Sequence, residues 1–520
     1  MTHLRFVSVP SLSSVQTSSP IPSFSSGSSF SFGLSPSSGT SSSYIASSQS
    51  FLSPSFVLLL IITLLSSILA NAQSNAPDPV LRGGQSSPPD PALRKMLESK
   101  DLKSALVGVY VYDDSSKKEI ADFQSEKYFV PASNTKLFSL YAGMTYLGDS
   151  LEGASYFADD TALYITPEGD PSFLHPDFLS QPVFDLIKKS NKKIYLVDWG
   201  FTETPLGPGW AWDDYNYDYS VERSQFPVYG NFIRWTQQRS PFRSNASFAA
   251  SASVFSTPEI SWPVRFSPDS LPKTFLVTRG IDSNVFKIQL GEETEIIQDV
   301  PFITNNLNSA ALLLKDTLGK FVGIKTAPKR SGHGTWTAYA PINNEKFGTI
   351  FSRPADSVYI PMMYRSDNFF AEQILLMVSK KELGVWNDEV IIDTLLNNPL
   401  AGLPQKPSWV DGSGLSRFNL FSPRDFIFLL VKFKNEFGMD RMKRILPTGG
   451  KGTLKNYYRT DSGYVFAKTG SLNGVLCLSG YIYTTKNRLL EFSILVNNHN
   501  GSGSAIRREI EGYLEYLRKK

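Results

Sequence analysis

At 520 residues, with 41% apolar and 13% aromatic side chains, the chain is long enough for two or three domains with packed cores. A net charge of +3 without a long basic block gives no footing for nucleic acid. One cysteine, Cys477, excludes a disulfide framework and a cysteine zinc site within one chain, and only four histidines leave few candidates for a serine–histidine pair.

Residues 1–55 are rich in Ser, Pro and Gly and lack acids, a composition that builds no core. The apolar run Phe56–Leu69 is short for a membrane span, and Ala70–Ala72 fits a small-residue cleavage site. The leader, residues 1–72, therefore reads as a secretory signal cleaved after about Ala72, which predicts export to a periplasm or another extracytoplasmic face. Arg5 is the sole Lys or Arg before the run, a departure that an over-extended start or an organellar transit segment explains. An uncleaved anchor is the alternative, and membrane contact is expected through the leader alone.

Residues Ala92–Lys100 are expected to be a helix, and "SALVGVYVYDDSSKKEIADF" a β-hairpin turning at Asp113–Lys118. Leu137, Leu140, Tyr141, Met144 and Leu147 recur at helical spacing before Gly148. Residues 151–345 carry short β-like runs with Pro, Gly and aromatics, "GWAWDDYNYDYS" being the densest aromatic and acidic cluster. Helical patterning returns in "NFFAEQILLMVSKKE" and "SPRDFIFLLVKFKNEFG". The chain closes with three strands and a helix whose stripe is Ile506, Ile510, Leu514 and Leu517. The economical architecture is an α/β (α+β) domain, residues 73–150 and 346–520, interrupted by a β-rich insertion that is itself nested.

Ser133 precedes Lys136 by one helical turn at the head of the helix after Pro131. Ser-x-x-Lys alone is weak, because Ser115/Lys118, Ser190/Lys193 and Ser270/Lys273 also match it; a capping serine beside a surface lysine is the competing reading. Two later triplets change the balance: Ser366-Asp367-Asn368 and Lys468-Thr469-Gly470, the latter unique in the chain. S-x-x-K, S-D-N and K-T-G together mark penicillin-binding proteins and class A β-lactamases.

With these motifs the sequence resembles the class C low-molecular-mass penicillin-binding proteins, the D-Ala-D-Ala carboxypeptidase/endopeptidase family. "PASNTK", "GDPSF", "DGSGLSRFNLFSP", "LPTGGKGTLKN" and "FAKTGSLNGVLCLSGY" carry the likeness along the mature chain, as does the spacing of about 230 residues between the first two motifs. The resemblance implies a penicillin-binding-protein/β-lactamase-like transpeptidase fold, an antiparallel sheet flanked by helices. It implies a serine peptidase that acts on peptidoglycan stem peptides through an acyl-enzyme and is covalently inhibited by β-lactams.

The implied roles fall on Ser133 as nucleophile, Lys136 as base, Lys468 as the cation that keeps it neutral, and Ser366 and Asn368 on the opposite wall. Thr469 and Lys468 would hold the substrate carboxylate, Gly470 permits close backbone approach, and the N–H groups of Ser133 and Ser471 form the oxyanion hole. A stem-peptide side-chain pocket would fall on Asp214 (or Asp213, one register away), Tyr219 and Arg417; exposed acids among packing aromatics are the plain alternative. Cys477 reads as packing, and no histidine is placed as a ligand, so neither metal nor cofactor is expected. A β-lactamase and a non-catalytic wall-binding protein are the competing functions. Against the first stand the large insertion and the lack of a recognisable loop for the class A glutamate; against the second stands the intact motif set.

Overall fold

The computed structural model describes residues 90–239, 252–267, 274–326, 348–460 and 463–520. The leader, its apolar run and its cleavage point lie outside them. Helix α1 (Pro91–Leu97) is shorter than expected; the Asp90 carboxylate accepts from Leu93 N at 2.8 Å and Pro91 opens the first turn. The expected hairpin forms from β1 (Leu106–Asp113) and β2 (Lys118–Phe123). Residues Ala132–Thr135 make one tight 3-10 turn, and helix α2 (Lys136–Tyr146) begins only at the lysine.

The middle of the chain supplies β3 (Ser150–Ala158), β4 (Ala162–Pro167), α3 (Pro182–Lys189) and β5 (Lys193–Asp198). Six short strands follow: β6 (Phe232–Arg239), β7 (Ala252–Thr257), β8 (Val264–Phe266), β9 (Leu276–Gly280), β10 (Ser283–Gln289) and β11 (Glu295–Pro301). Then come α4 (Asn308–Leu318), β12 (Val322–Thr326) and β13 (Gly348–Pro354). The sheet β12-β5-β4-β3-β13 is mixed, with β5 parallel to both β4 and β12. Between β5 and β12 the chain builds two three-stranded sheets, β8-β10-β9 and β11-β6-β7. All three sheets share one core, to which α3 contributes Val183 and Ile187 and α4 contributes Leu313 and Leu314. Strand β3 pairs antiparallel with β13, from Tyr156 opposite Gly348 to Ser150 opposite Pro354.

The remaining elements are α5 (Asp356–Tyr364), α6 (Asn368–Leu383), α7 (Asp388–Asn397), α8 (Pro423–Phe437), α9 (Met439–Ile445), β14 (Val465–Leu472), β15 (Val475–Tyr483), β16 (Leu489–Asn497) and α10 (Gly503–Lys519). The last three strands join the first hairpin in one antiparallel sheet of order β14-β15-β16-β1-β2. Strand alternation gives this sheet two buried faces. Val109, Val111, Leu476 and Leu478 pack with Ile506, Ile510, Leu514 and Leu517 of α10. Tyr110, Cys477 and Leu495 pack on the other side with residues of α2, α6 and α8. Phe138 anchors that second core, its ring 4.5 Å from Phe421 and 5.6 Å from Phe426. The mixed α/β fold read from the sequence, an antiparallel sheet flanked by helices, is the fold of this part of the chain. Burial raises the Cys477 thiol to about 12, as befits a packing residue.

Candidate active site

The turn bearing Ser133 is fixed from both sides. Asn497 at the end of β16 clamps Val130, accepting from its N–H at 2.7 Å and donating to its carbonyl at 3.0 Å. Asn134 reaches down to the sheet and donates to Ser479 Oγ at 2.8 Å, which in turn bonds Ser493 Oγ. On the far side lies β14. A Cβ on Gly470 would sit 2.5 Å from Pro131 O, so only glycine lets this strand press against the turn. That contact brings the Lys468–Gly470 stretch of β14 against the turn that carries Ser133.

Ser133 is no helix cap. The turn and α2 have no side-chain cap, and the serine hydroxyl instead accepts from Lys136 Nζ at 2.9 Å. The same ammonium donates to Asn368 Oδ1 at 2.6 Å and to Ser413 O at 2.7 Å. Opposite, Lys468 Nζ donates to Ser366 Oγ at 2.8 Å and to Thr469 O at 2.7 Å. Ser366 is held with φ at +64°, a backbone state that serine adopts at a cost, while the next residue, Asp367, caps α6 through Phe370 N at 3.0 Å. The three motifs, 232 and 102 residues apart in sequence across the two bonds, thus close on one another.

Both amines are fully buried. Burial lowers Lys136 to about 8, against the opposing pull of Asp411, Glu372 and Asp367. Lys468 is driven well below the usual lysine range, by burial first and then by the Lys136 charge, with no acid to oppose it. The sequence reading made Lys136 the neutral amine and Lys468 the cation; burial depresses both, Lys468 the further of the two, and the acids that favour a charge lie on the Lys136 side, so the proton belongs to the pair rather than to either amine alone.

Three residues behind the site escaped the sequence reading. Asp411 is buried and organises the "DGSGLSR" loop: it accepts from Gly414 N, Ser416 N and Asn419 Nδ2, each at 2.7 Å, and from Trp210 Nε1 at 3.0 Å. Gly414 has φ +79°, and a Cβ there would meet Ala132 O at 1.9 Å, so the loop can slide under the serine turn only as glycine. Ser413 then offers its carbonyl to Lys136, and its N–H donates to Glu372 Oε1 at 2.7 Å. Glu372 sits four residues after Asn368 on α6, one helical turn away, which is the signal that could have found it. Burial raises it to about 7, helped by Asp411 and opposed by Arg223, whose guanidinium lies 3.5 Å from Oε2. Arg223, itself buried, also pairs with Asp388 and Glu203.

The second predicted constellation assembles in part. Tyr219 OH donates to Asp214 Oδ1 at 2.9 Å, and Tyr219 O accepts from Asn368 Nδ2 at 2.8 Å, which ties this loop to the lysine. Arg417 is exposed and donates to Asn473 O in the β14–β15 turn; among the described residues it contacts neither Asp214 nor Tyr219. Tyr217 stacks on Tyr219 at 5.3 Å, and Trp212 is 75% exposed on the same loop. His175 is buried within the turn segment after β4; burial lowers it to about 4, and its ring packs on Phe370 and Phe232. Among the described residues no three His, Cys, Asp or Glu side chains converge to hold a metal ion.

Proteins of known kind are similar to this chain. The D-alanyl-D-alanine carboxypeptidase of Actinomadura sp. strain R39 is 23% identical over 440 residues, covering 78% of this chain and 80% of its own. The crystal structure of penicillin binding protein 4 from Haemophilus influenzae matches with a TM-score of 0.65 at 20% identity, over 82% of this chain and 99% of that one. A second structure of it, complexed with a β-lactam, matches with a TM-score of 0.57 at 20% identity over 79% and 95%. The family model for D-Ala-D-Ala carboxypeptidase 3 (S13) matches residues 90–517, and the chain belongs to that family of serine peptidases.

Proposed function

We propose that this D-Ala-D-Ala carboxypeptidase works through an acyl-enzyme on Ser133, cutting the terminal D-Ala from peptidoglycan stem peptides. The observation that carries this is the 2.9 Å bond between Ser133 Oγ and a buried Lys136 amine whose burial eases its loss of a proton. The neutral amine takes the serine proton as Oγ attacks the amide carbonyl. The tetrahedral oxyanion would be met by the N–H groups of Ser133 and Ser471. As the C–N bond breaks, the proton passes through Ser366, held by Lys468, to the departing amine. Water then repeats the sequence on the ester: it loses a proton to the lysine pair, adds to the carbonyl, and releases Ser133 with its proton restored.

Endopeptidase cleavage of a cross-linked stem uses the same groups and belongs to the same proposal. Asp214 would receive an ammonium and Arg417 a carboxylate of the stem side chain. Residues 151–345, with a nested part, are proposed as the inserted domain, and the Ser-rich leader as the export signal; among the described residues no helix is long and apolar enough to cross a membrane.

The test is to incubate the purified chain with a fluorescent penicillin and map the adduct by mass spectrometry. A lasting ester on Ser133, absent in Ser133→Ala, is expected. Rapid turnover of the penicillin would indicate a β-lactamase instead, and a folded protein with no adduct would indicate a wall-binding role.

A further inference from the structure

A recess of about 380 Å³ opens between the β9–β10 turn, the turn that leads into α4, and the indole of Trp262. None of its lining residues belongs to the cluster around Ser133. Its volume lies in the range of small-molecule sites, about 300–1,000 Å³.

The floor of the recess is fixed. Asn284 accepts from Ile303 N at 2.7 Å and donates to Ile303 O at 2.9 Å, and Ser309 Oγ donates to the same carbonyl at 2.5 Å. Trp262 forms one wall; it is half-buried, its ring backed by Phe302 at 5.3 Å and Phe286 at 6.2 Å. The rim is polar and uncommitted. Asp282, Asn305 and Asn308 are exposed. Among the described residues the side chains of Asp282 and Asn305 make no hydrogen bond, and Asn308 spends one amide proton, on Asn305 O at 3.0 Å.

These features select a ligand class. Among the described residues no Lys or Arg lines the recess and Asp282 is its sole formal charge, so an anion finds no counter-charge there. A half-covered indole face takes a flat apolar surface such as the C–H face of a pyranose ring. A carboxylate and two primary amides accept and donate in pairs, which matches adjacent hydroxyls and an acetamido group, and Ile303 and Leu312 offer an apolar spot for its methyl. The position is informative as well. Asn216, in the loop between Asp214 and Tyr219, holds β9 by accepting from Arg279 N at 2.9 Å and donating to Arg279 O at 3.3 Å. Three residues after Arg279 comes Asp282, so the recess is joined to the loop that reaches Asn368 through Tyr219.

We propose that this recess binds an N-acetylhexosamine unit of a glycan strand, with Trp262 as the stacking platform and Asp282, Asn305 and Asn308 as its polar rim. This rests on the peptidase reading above and deepens it: stem peptides are carried on such strands, so one chain holds the polymer at one place and cuts its peptide at another.

The experiment titrates the full chain with chitin tetrasaccharide by calorimetry, with cellotetraose, which lacks the acetamido groups, as control. Saturable binding of the chitin tetrasaccharide is expected, with cellotetraose about tenfold weaker or worse. Trp262→Ala should weaken binding about tenfold or more, and Asn308→Ala, an exposed change at the first position of α4, about two- to tenfold. A thermal melt checks that each variant is folded. Absence of saturable binding, equal affinity for cellotetraose, or unchanged affinity in both variants overturns the inference. Penicillin labelling of the same wild-type sample separates the two readings: a chain that labels on Ser133 but binds no sugar loses this inference alone, whereas a chain that does not label loses the peptidase reading on which it stands.

Discussion

Two clusters flank the serine, and they are built on opposite terms. Lys136 and Lys468 are fully buried, and their bonds to Asn368, Ser413 and Ser366 end on oxygens held by distant parts of the chain. Asp214, Tyr219 and Arg417 lie on surface loops, with Tyr219 40% exposed and Arg417 turned to a neighbouring turn. The difference is one of energetics. Burying an amine costs much unless each proton finds an acceptor, so the first cluster is bound to one geometry. Exposed pairs contribute about 0–1 kcal/mol and can rearrange around whatever stem peptide arrives. On the proposed function, chemistry would sit in the rigid cluster and substrate choice in the adaptable one.

The sharpest way to break that contrast is to remove the base. Lys136→Ala should lower the rate of acylation by a fluorescent penicillin by about 10²- to 10⁴-fold, the usual range for general-base catalysis. A loss of tenfold or less would mean that Lys468 can replace it and that the two amines are interchangeable.

Next in size is the loop beneath the cluster. Gly414→Ala places a methyl against Ala132 O and forces a left-handed backbone on alanine. A destabilisation of about 2 kcal/mol or more is expected, with slower acylation, read by denaturant melts and penicillin labelling on the same samples. An unchanged melt would show that the loop can retreat from the serine turn, and the buried cluster would then be less rigid than its hydrogen bonds imply.

Rigidity also explains what the sequence made legible. Ser133, Lys136, Ser366, Asn368 and Lys468 were found because each motif is local and sits at the start of a helix or on a strand. The same is true of the α10 stripe and the three closing strands. What was missed depends on long-range contacts or on broken local rules. Glu372 meets Ser413 41 residues away, and Arg223 meets Asp388 165 residues away; neither partner shows in a window of sequence. Helix α5 runs through Pro361, a residue that locally argues against a helix. Helices α3 and α4 were overlooked inside a segment dominated by short strands, although Gly319 in the left-handed region closes α4. The placement of Arg417 was carried by resemblance alone, and no local pattern could say that its side chain would turn to Asn473.

A smaller effect, and a sharper one, comes from Glu372. Its charge holds the Lys136 proton, acting together with Asp411 and Asp367 against burial. Acylation requires the amine without its proton, so the rate should rise with pH through about 8. Glu372→Gln keeps an acceptor for Ser413 N while deleting the charge, which leaves burial less opposed. The rising limb of the pH–rate profile should then move to lower pH, with the plateau rate changed less than about threefold. A limb that stays in place, or moves up, would mean that Glu372 carries no charge over that range and acts on the loop alone.

The smallest effects belong to the exposed cluster. Asp214→Asn and Arg417→Ala should raise KM about two- to fivefold for stem peptides whose side chain ends in an ammonium and a carboxylate, with kcat nearly constant, because exposed pairs are worth about 1 kcal/mol or less. Acylation by a penicillin lacking that side chain should be unaffected. Tyr219 provides the bridge between the clusters: its hydroxyl serves Asp214, whereas its carbonyl holds the Asn368 amide that faces Lys136. Tyr219→Phe removes only the first link, so it should behave like Asp214→Asn and leave kcat alone. A fall in kcat for Tyr219→Phe would show that occupancy of the side-chain pocket is transmitted through Asn368 to the base, and the two clusters would then be one machine rather than two.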